Sequence, residues 1–140
     1  MDSDTEDKID ALCLRGNEQI DEGNYLKAVS IFEQALQLVP EPKFEYEATG
    51  WLYVAIGDAY YFQGDHEKSL DCFHHAYRIY GVENLNPFIL LRLGQCNFHL
   101  GNEKEAVDFL LRAYMLEGED IFEDDPSFLE YLKKHVNLES

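Results

Sequence analysis

The sequence predicts an all-α protein built from tandem helix–turn–helix units, and two observations carry that prediction. First, one amphipathic stretch occurs three times: GNYLKAVSIFEQAL at 23–36, GDHEKSLDCFHHAY at 64–77 and GNEKEAVDFLLRAY at 101–114. Second, another glycine precedes the first glycine of each stretch by seven residues, at Gly16, Gly57 and Gly94. The length, 140 residues, predicts a single domain over 1–140, and 46% hydrophobic residues are enough apolar surface for a core.

The repeated stretch defines the second helix of each unit. Five residues after Gly23, Gly64 and Gly101 stands a small residue: Ala28, Ser69 or Ala106. Four further on is a large apolar one, Phe32, Phe73 or Leu110, and three beyond that an alanine, Ala35, Ala76 or Ala113. Steps of four and three place these residues on one helical face. Small residues on either side of a large one predict that a neighbouring helix crosses closely there. The earlier glycines belong to the first helix of each unit, within Tyr53-x-x-Ile56-Gly57-x-x-Tyr60 in the middle copy and Leu90-x-x-Leu93-Gly94 in the last. A glycine inside a helix costs roughly 1 kcal/mol against alanine, so three in register predict a packing requirement. The later glycine of each pair, followed by Asn or Asp, reads as a helix stop and tight turn.

These residues resemble the tetratricopeptide repeat, whose signature is W-x2-L-G-x2-Y…A-x3-F…P. The middle copy, WLYVAIGDAYYFQGDHEKSLDCFHHAY, is the nearest to it; Pro40 ends the first copy, while Gly81 and Gly118 end the others. The resemblance covers about residues 9–118. It implies a right-handed α-solenoid of three units, roughly 9–42, 43–83 and 86–118. The family repeat is 34 residues long, whereas 41 residues separate Gly16 from Gly57 and 37 separate Gly57 from Gly94. The first surplus predicts a lengthened first helix in the middle unit, starting near Lys43. The second predicts a longer loop before Asn86-Pro87, an N-cap and first-turn pair. Asp125-Pro126 repeats that start signal, and Phe128, Leu129, Leu132 and Val136 follow at helical spacing. A capping helix over 126–136 is expected, seven helices in all, because the last unit of a solenoid needs cover. The acidic segment 117–125 reads as its solvated connector.

In proteins of this resemblance the first helices line a groove that binds peptides or partner proteins. The residues expected to face it are Asp10, Cys13, Asn17, Ile20 and Asp21 in the first unit and Trp51, Val54, Asp58, Tyr61 and Phe62 in the second. In the third they are Phe88, Leu91, Gln95, Phe98 and His99, with Arg92 beside them. This aromatic and acidic mixture suits a partner with apolar anchors among Lys or Arg. Some tetratricopeptide co-chaperones instead grip acidic tails with a clamp of lysines, asparagines and an arginine. Asn17 and Arg92 match that clamp, but Cys13, Ala55 and Phe88 replace its other members, lysines included.

Charge and composition narrow the function. A net charge of −17 opposes direct binding to nucleic acid and favours basic partners. No apolar run is long enough for a membrane span, and the acidic start MDSDTEDKID does not read as a secretory signal; the expected location is cytoplasmic. Cys13, Cys72 and Cys96 form no C-x-x-C pair and read as reduced thiols. Cys72 and His74 lie about 200° apart on a helix, so they do not converge on a metal. EGEDIFEDD lacks the residue order of a calcium loop. No nucleophile elbow or phosphate loop is present, so neither catalysis nor a cofactor is expected. The reading is a non-catalytic protein-binding module that shields a basic protein, such as a toxin or nuclease, in the manner of an antidote or immunity protein. A secretion-type chaperone or an assembly adaptor holding an extended peptide is the alternative, and self-association through the end helices is a third possibility.

Overall fold

The computed structural model describes residues 1–81 and 85–138. Seven α-helices occur among them: α1 Ser3–Asp21, α2 Tyr25–Leu38, α3 Glu47–Gln63, α4 His66–Tyr80, α5 Pro87–His99, α6 Glu103–Glu117 and α7 Ser127–His135. No strand is found among the described residues. The helices fall into two compact bodies, Met1–Glu83 and Asn84–Ser140. The end expected for the second unit, at 83, and the lengthened loop at 82–84 lie outside the described residues.

The first body holds two helix pairs. Helix α1 starts earlier than the repeat alone predicts. The Asp2 side chain accepts from the Thr5 N–H at 2.7 Å and caps it, and Asp4 and Glu6 fall in its first turn. Negative charge is favourable there because the first N–H groups of a helix are unsatisfied and its dipole is positive. That hydrogen bond also holds the Asp2 carboxyl below its ordinary pKa. The acidic block 2–7 is therefore the cap and opening turns of α1.

Each pair is held by the contact that the glycine register predicts. A Cβ at Gly57 on α3 would lie 2.7 Å from the Phe73 ring of α4, and one at Gly16 on α1 would lie 2.4 Å from Phe32 of α2. Phe32 and Phe73 are fully buried, and Ala28, Ala35, Ser69 and Ala76 beside them have no exposed surface. Where the first copy has Ala28, Ser69 adds a buried hydrogen bond, donating its hydroxyl to the Gly57 carbonyl at 2.8 Å. The turn is equally regular. Gly64 ends α3 in the left-handed region (φ +92°), and Gly23 and Gly101 do the same at +79° and +80°. Asp65 then caps α4 by accepting from the Lys68 N–H.

The connector from α2 to α3 differs from expectation. The helix predicted to start near Lys43 starts at Glu47. Lys43–Glu45 form a single 3-10 turn, and Tyr46 is extended (φ −104°, ψ 132°). The chain folds back here rather than continuing as helix, because Lys43 is tied to the end of α2 and to the start of α3.

In the second body, Asn86 caps α5 through the Phe88 N–H at 2.9 Å, with Pro87 in the first turn. Gly94 meets Leu110 of α6, where a Cβ would come within 2.7 Å. Asn97, buried, donates to the Leu93 carbonyl and accepts from Asn102, tying α5 to the turn that follows. The expected capping helix is α7, with Phe128, Leu129 and Leu132 buried. Phe98 of α5 packs edge-on against Phe128 and Tyr131 of α7, with ring centroids 5.2 and 4.8 Å apart.

The acidic segment before α7 is not simply a solvated connector. Gly118–Phe122 form a 3-10 turn, and Phe122 is buried to 2% exposure while the surrounding carboxylates stay outside. One aromatic thus anchors an otherwise charged stretch. At the far end of α7, His135 is held by the Tyr131 carbonyl and by Glu103 at the start of α6. Both contacts favour the imidazolium and raise its pKa, against smaller opposition from desolvation and from Lys134.

Three outcomes follow from this packing. Gly57→Ala gains helix propensity of roughly 1 kcal/mol but overpacks a buried ring at about 1–3 kcal/mol, so net destabilisation is expected in chemical denaturation. Phe122→Ala is expected to cost about 3–5 kcal/mol, the scale of a buried aromatic, and a loss under 1 kcal/mol would show the anchor to be dispensable. For His135 the folded pKa lies above the unfolded one. Its contribution is therefore complete below the unfolded value and is lost as pH rises through the folded value. Thermal denaturation between pH 6 and 8 should show a decline that His135→Gln flattens.

Candidate functional site

A groove runs between α1 and α3 in the first body. It consists of two adjoining cavities. The larger, about 330 Å3, is lined by Ile9, Asp10, Cys13, Leu14 and Asn17 from α1 and by Ala48, Trp51 and Leu52 from α3. The smaller, about 200 Å3, is lined by Asn17, Ile20, Val54, Ala55, Asp58 and Phe62, with Phe32 of α2 beneath. Asn17 and Trp51 border both. The spacing explains the arrangement: Asp10, Cys13, Leu14 and Asn17 are neighbours at steps of three and four on α1, and so are Trp51, Val54, Ala55, Asp58 and Phe62 on α3.

The walls are largely apolar, with Asn17 shared between the cavities and one carboxylate at each. Trp51 is 42% exposed, Phe62 50% and Leu14 65%, large values for apolar side chains. Trp51 rests edge-on against Phe32, with ring centroids 6.2 Å apart, and Phe62 packs against Tyr25 at 5.7 Å. These contacts hold the two rings against the helices beneath them. Asp10 is exposed at one cavity and Asp58 half-buried at the other. Burial and the charge of Asp10 push the Cys13 thiol up to about 11, so at neutral pH it is an uncharged wall.

The structure thus brings together Asp10, Asn17, Trp51, Val54, Asp58 and Phe62. Asp21, exposed at the end of α1, and Tyr61, packed against Phe62 and His66, line neither cavity. Leu14 and Ala48 were not singled out in the sequence; Leu14 had a readable signal, four residues from Asp10 and three from Asn17.

The residues expected on α5 are in the second body, and two of them require correction. Leu91 and Gln95 were expected to face a groove, yet they are buried, at 5% and 3% exposure. The reason is that α5 is covered on most of its circumference, polar residues included, with Ile89–Leu91 and Leu93–Asn97 all buried. Gln95 accepts from the Arg92 guanidinium at 2.6 Å, and Arg92 also lies over the Phe88 ring at 4.8 Å. Phe88 and Arg92 are half-buried and His99 is exposed. Among the described residues no group of three or more His, Cys, Asp or Glu side chains is placed to hold a metal ion, and no helix is long and apolar enough to cross a membrane.

Comparison with known proteins places this geometry in a family. Tetratricopeptide repeat models match residues 10–81 and 89–120. The BBSome complex member bbs-4 of Caenorhabditis elegans is 30% identical over 74 residues, which is 53% of this chain and only 14% of that protein. Among solved structures, PcrH in complex with the chaperone binding region of PopB superposes with a TM-score of 0.65 at 17% identity, covering 96% of this chain and 94% of PcrH. The Sgt2 TPR domain from Aspergillus fumigatus superposes with a TM-score of 0.64 at 25% identity, covering 90% and 77%. Both share the all-α, solenoid fold class expected from the sequence. Domains of this class mediate protein–protein interaction and are generally non-catalytic. The chain belongs to the tetratricopeptide repeat family.

Proposed function

We propose that this chain is a non-catalytic binding module that holds a basic protein partner through the α1/α3 groove. The observation that carries the reading is the groove itself: exposed Trp51, Phe62 and Leu14 with carboxylates of Asp10 and Asp58 at the margins, on a chain of net charge −17. Apolar anchors of the partner would fill the two cavities, and Lys or Arg beside them would meet the carboxylates. Aromatic pockets supply most of the affinity in such interfaces, and charge supplies steering and selectivity. In its strongest form the module shields a basic toxin or nuclease, as an antidote or immunity protein does.

A second reading is a chaperone that holds an extended segment. The superposition on PcrH, which was crystallised with the chaperone binding region of PopB, favours it. Salt separates the two, because the screening length falls from roughly 14 Å to about 4 Å between about 50 and 500 mM. Immobilised protein exposed to an extract of its source should retain one basic protein at the lower salt and release it at the higher. Asp10→Lys with Asp58→Lys should slow its association, and Trp51→Ala should weaken it by at least about tenfold, the scale of a binding hot spot. A partner that survives the high-salt wash and is lost only with Trp51→Ala would favour the chaperone or assembly-adaptor reading. If neither set of substitutions alters binding, the groove assignment fails.

A further inference from the structure

We propose that Lys43 is a positioning residue that sets the width of the α1/α3 groove; this rests on the groove reading above but is tested without any partner. Helix α2 has no basic residue in its last turn. Lys43, beyond its end, supplies the missing charge by folding back. Its ammonium donates to the carbonyls of Val39 at 2.5 Å and Leu36 at 3.0 Å, with Gln37 at 3.4 Å. A cation at this place meets the carbonyls that crowd the end of the helix and opposes the negative end of the dipole. The Lys43 carbonyl, in turn, accepts from the hydroxyl of Thr49 at 2.7 Å, and Thr49 is buried on α3 at 2% exposure. One residue therefore fastens the last carbonyls of α2 to the first turn of α3.

The larger cavity lies just beyond that fastening. Its α3 wall is Ala48, Trp51 and Leu52, on either side of Thr49. Trp51 also rests on Phe32 of α2, so its ring spans the two helices that Lys43 joins. A shift of the α3 start relative to α2 moves Ala48 and Trp51 against α1 and changes that cavity first. The smaller cavity, whose other α3 residues begin at Val54, is further from the pivot. Neutralising the Lys43 amine, or shortening its reach, removes the tie to α2 while leaving every groove residue in place.

Trp51 is the only tryptophan of the chain, so its fluorescence reads the groove directly. In Lys43→Met, which keeps the length and removes the charge, the acrylamide quenching constant of Trp51 should roughly double with far-UV circular dichroism unchanged, as local opening without global unfolding requires. Lys43→Arg, which keeps the charge, should quench as the unaltered protein does. Quenching unchanged in a folded Lys43→Met protein overturns the proposal, and a lowered melting temperature with unchanged quenching does so too, since it leaves Lys43 as a cap of α2 alone. Should Lys43→Met not fold, Thr49→Val decides. It severs the same connector on the α3 side, and a quenching constant equal to that of the unaltered protein then rejects the proposal, while a raised one supports it. None of these results depends on whether the groove binds a basic protein.

Discussion

The contact between a glycine on one helix and a large apolar side chain on the next is the constraint from which the rest of this molecule follows. At Gly16, Gly57 and Gly94 there is no room for a methyl group against Phe32, Phe73 and Leu110. Removing the Cβ lets the two backbones approach, and the ring or leucine fills the space that remains at the density of a protein interior. The small residues flanking each large one follow from that approach, and so does the left-handed glycine that closes the turn seven residues later. With the inner face of each pair committed to this contact, the outer faces of α1 and α3 remain available, and they line the two cavities. The groove is what is left over once the pair contact is satisfied.

Much of this was legible because the repeat is itself a physical pattern. The residues of the pair contact occur three times with the same spacing, so each copy confirms the others, and the caps at Asn86 and ahead of α7 carry side chains that say where a helix can begin. What was not legible has a common cause. Phe122 lies among carboxylates, and its burial depends on what packs above it rather than on its neighbours in sequence. Leu91 and Gln95 fit the repeat positions of groove residues, but the repeat does not encode that α5 is enclosed on almost every side. The start of α3 was misplaced because Lys43 looks like an ordinary surface cation until the carbonyls of α2 are seen around it.

Along the α1/α3 groove, helical spacing accounts for most of the lining residues but not for where the lining ends. Trp51, Val54, Asp58 and Phe62 follow from helical spacing on α3, and Asp10 and Asn17 from the same spacing on α1. Tyr61 is adjacent to Phe62 in sequence, yet its ring turns to His66 instead. A difference of one residue is about 100° of helix rotation, enough to take a side chain from wall to rim. Side-chain direction, more than helix identity, determined which residues converged.

The uncharged thiol of Cys13 has a consequence for the groove as a chemical surface. With its pKa pushed up to about 11, the thiol stays protonated at neutral pH, and the thiolate is the form that exchanges disulfides, binds soft metals and reacts with oxidants. Cys72 and Cys96 are buried and offer no resolving partner at the surface. A partner seated on this wall meets a small apolar sulfur rather than a nucleophile. A wall of this kind is poorly suited to covalent capture or to redox switching.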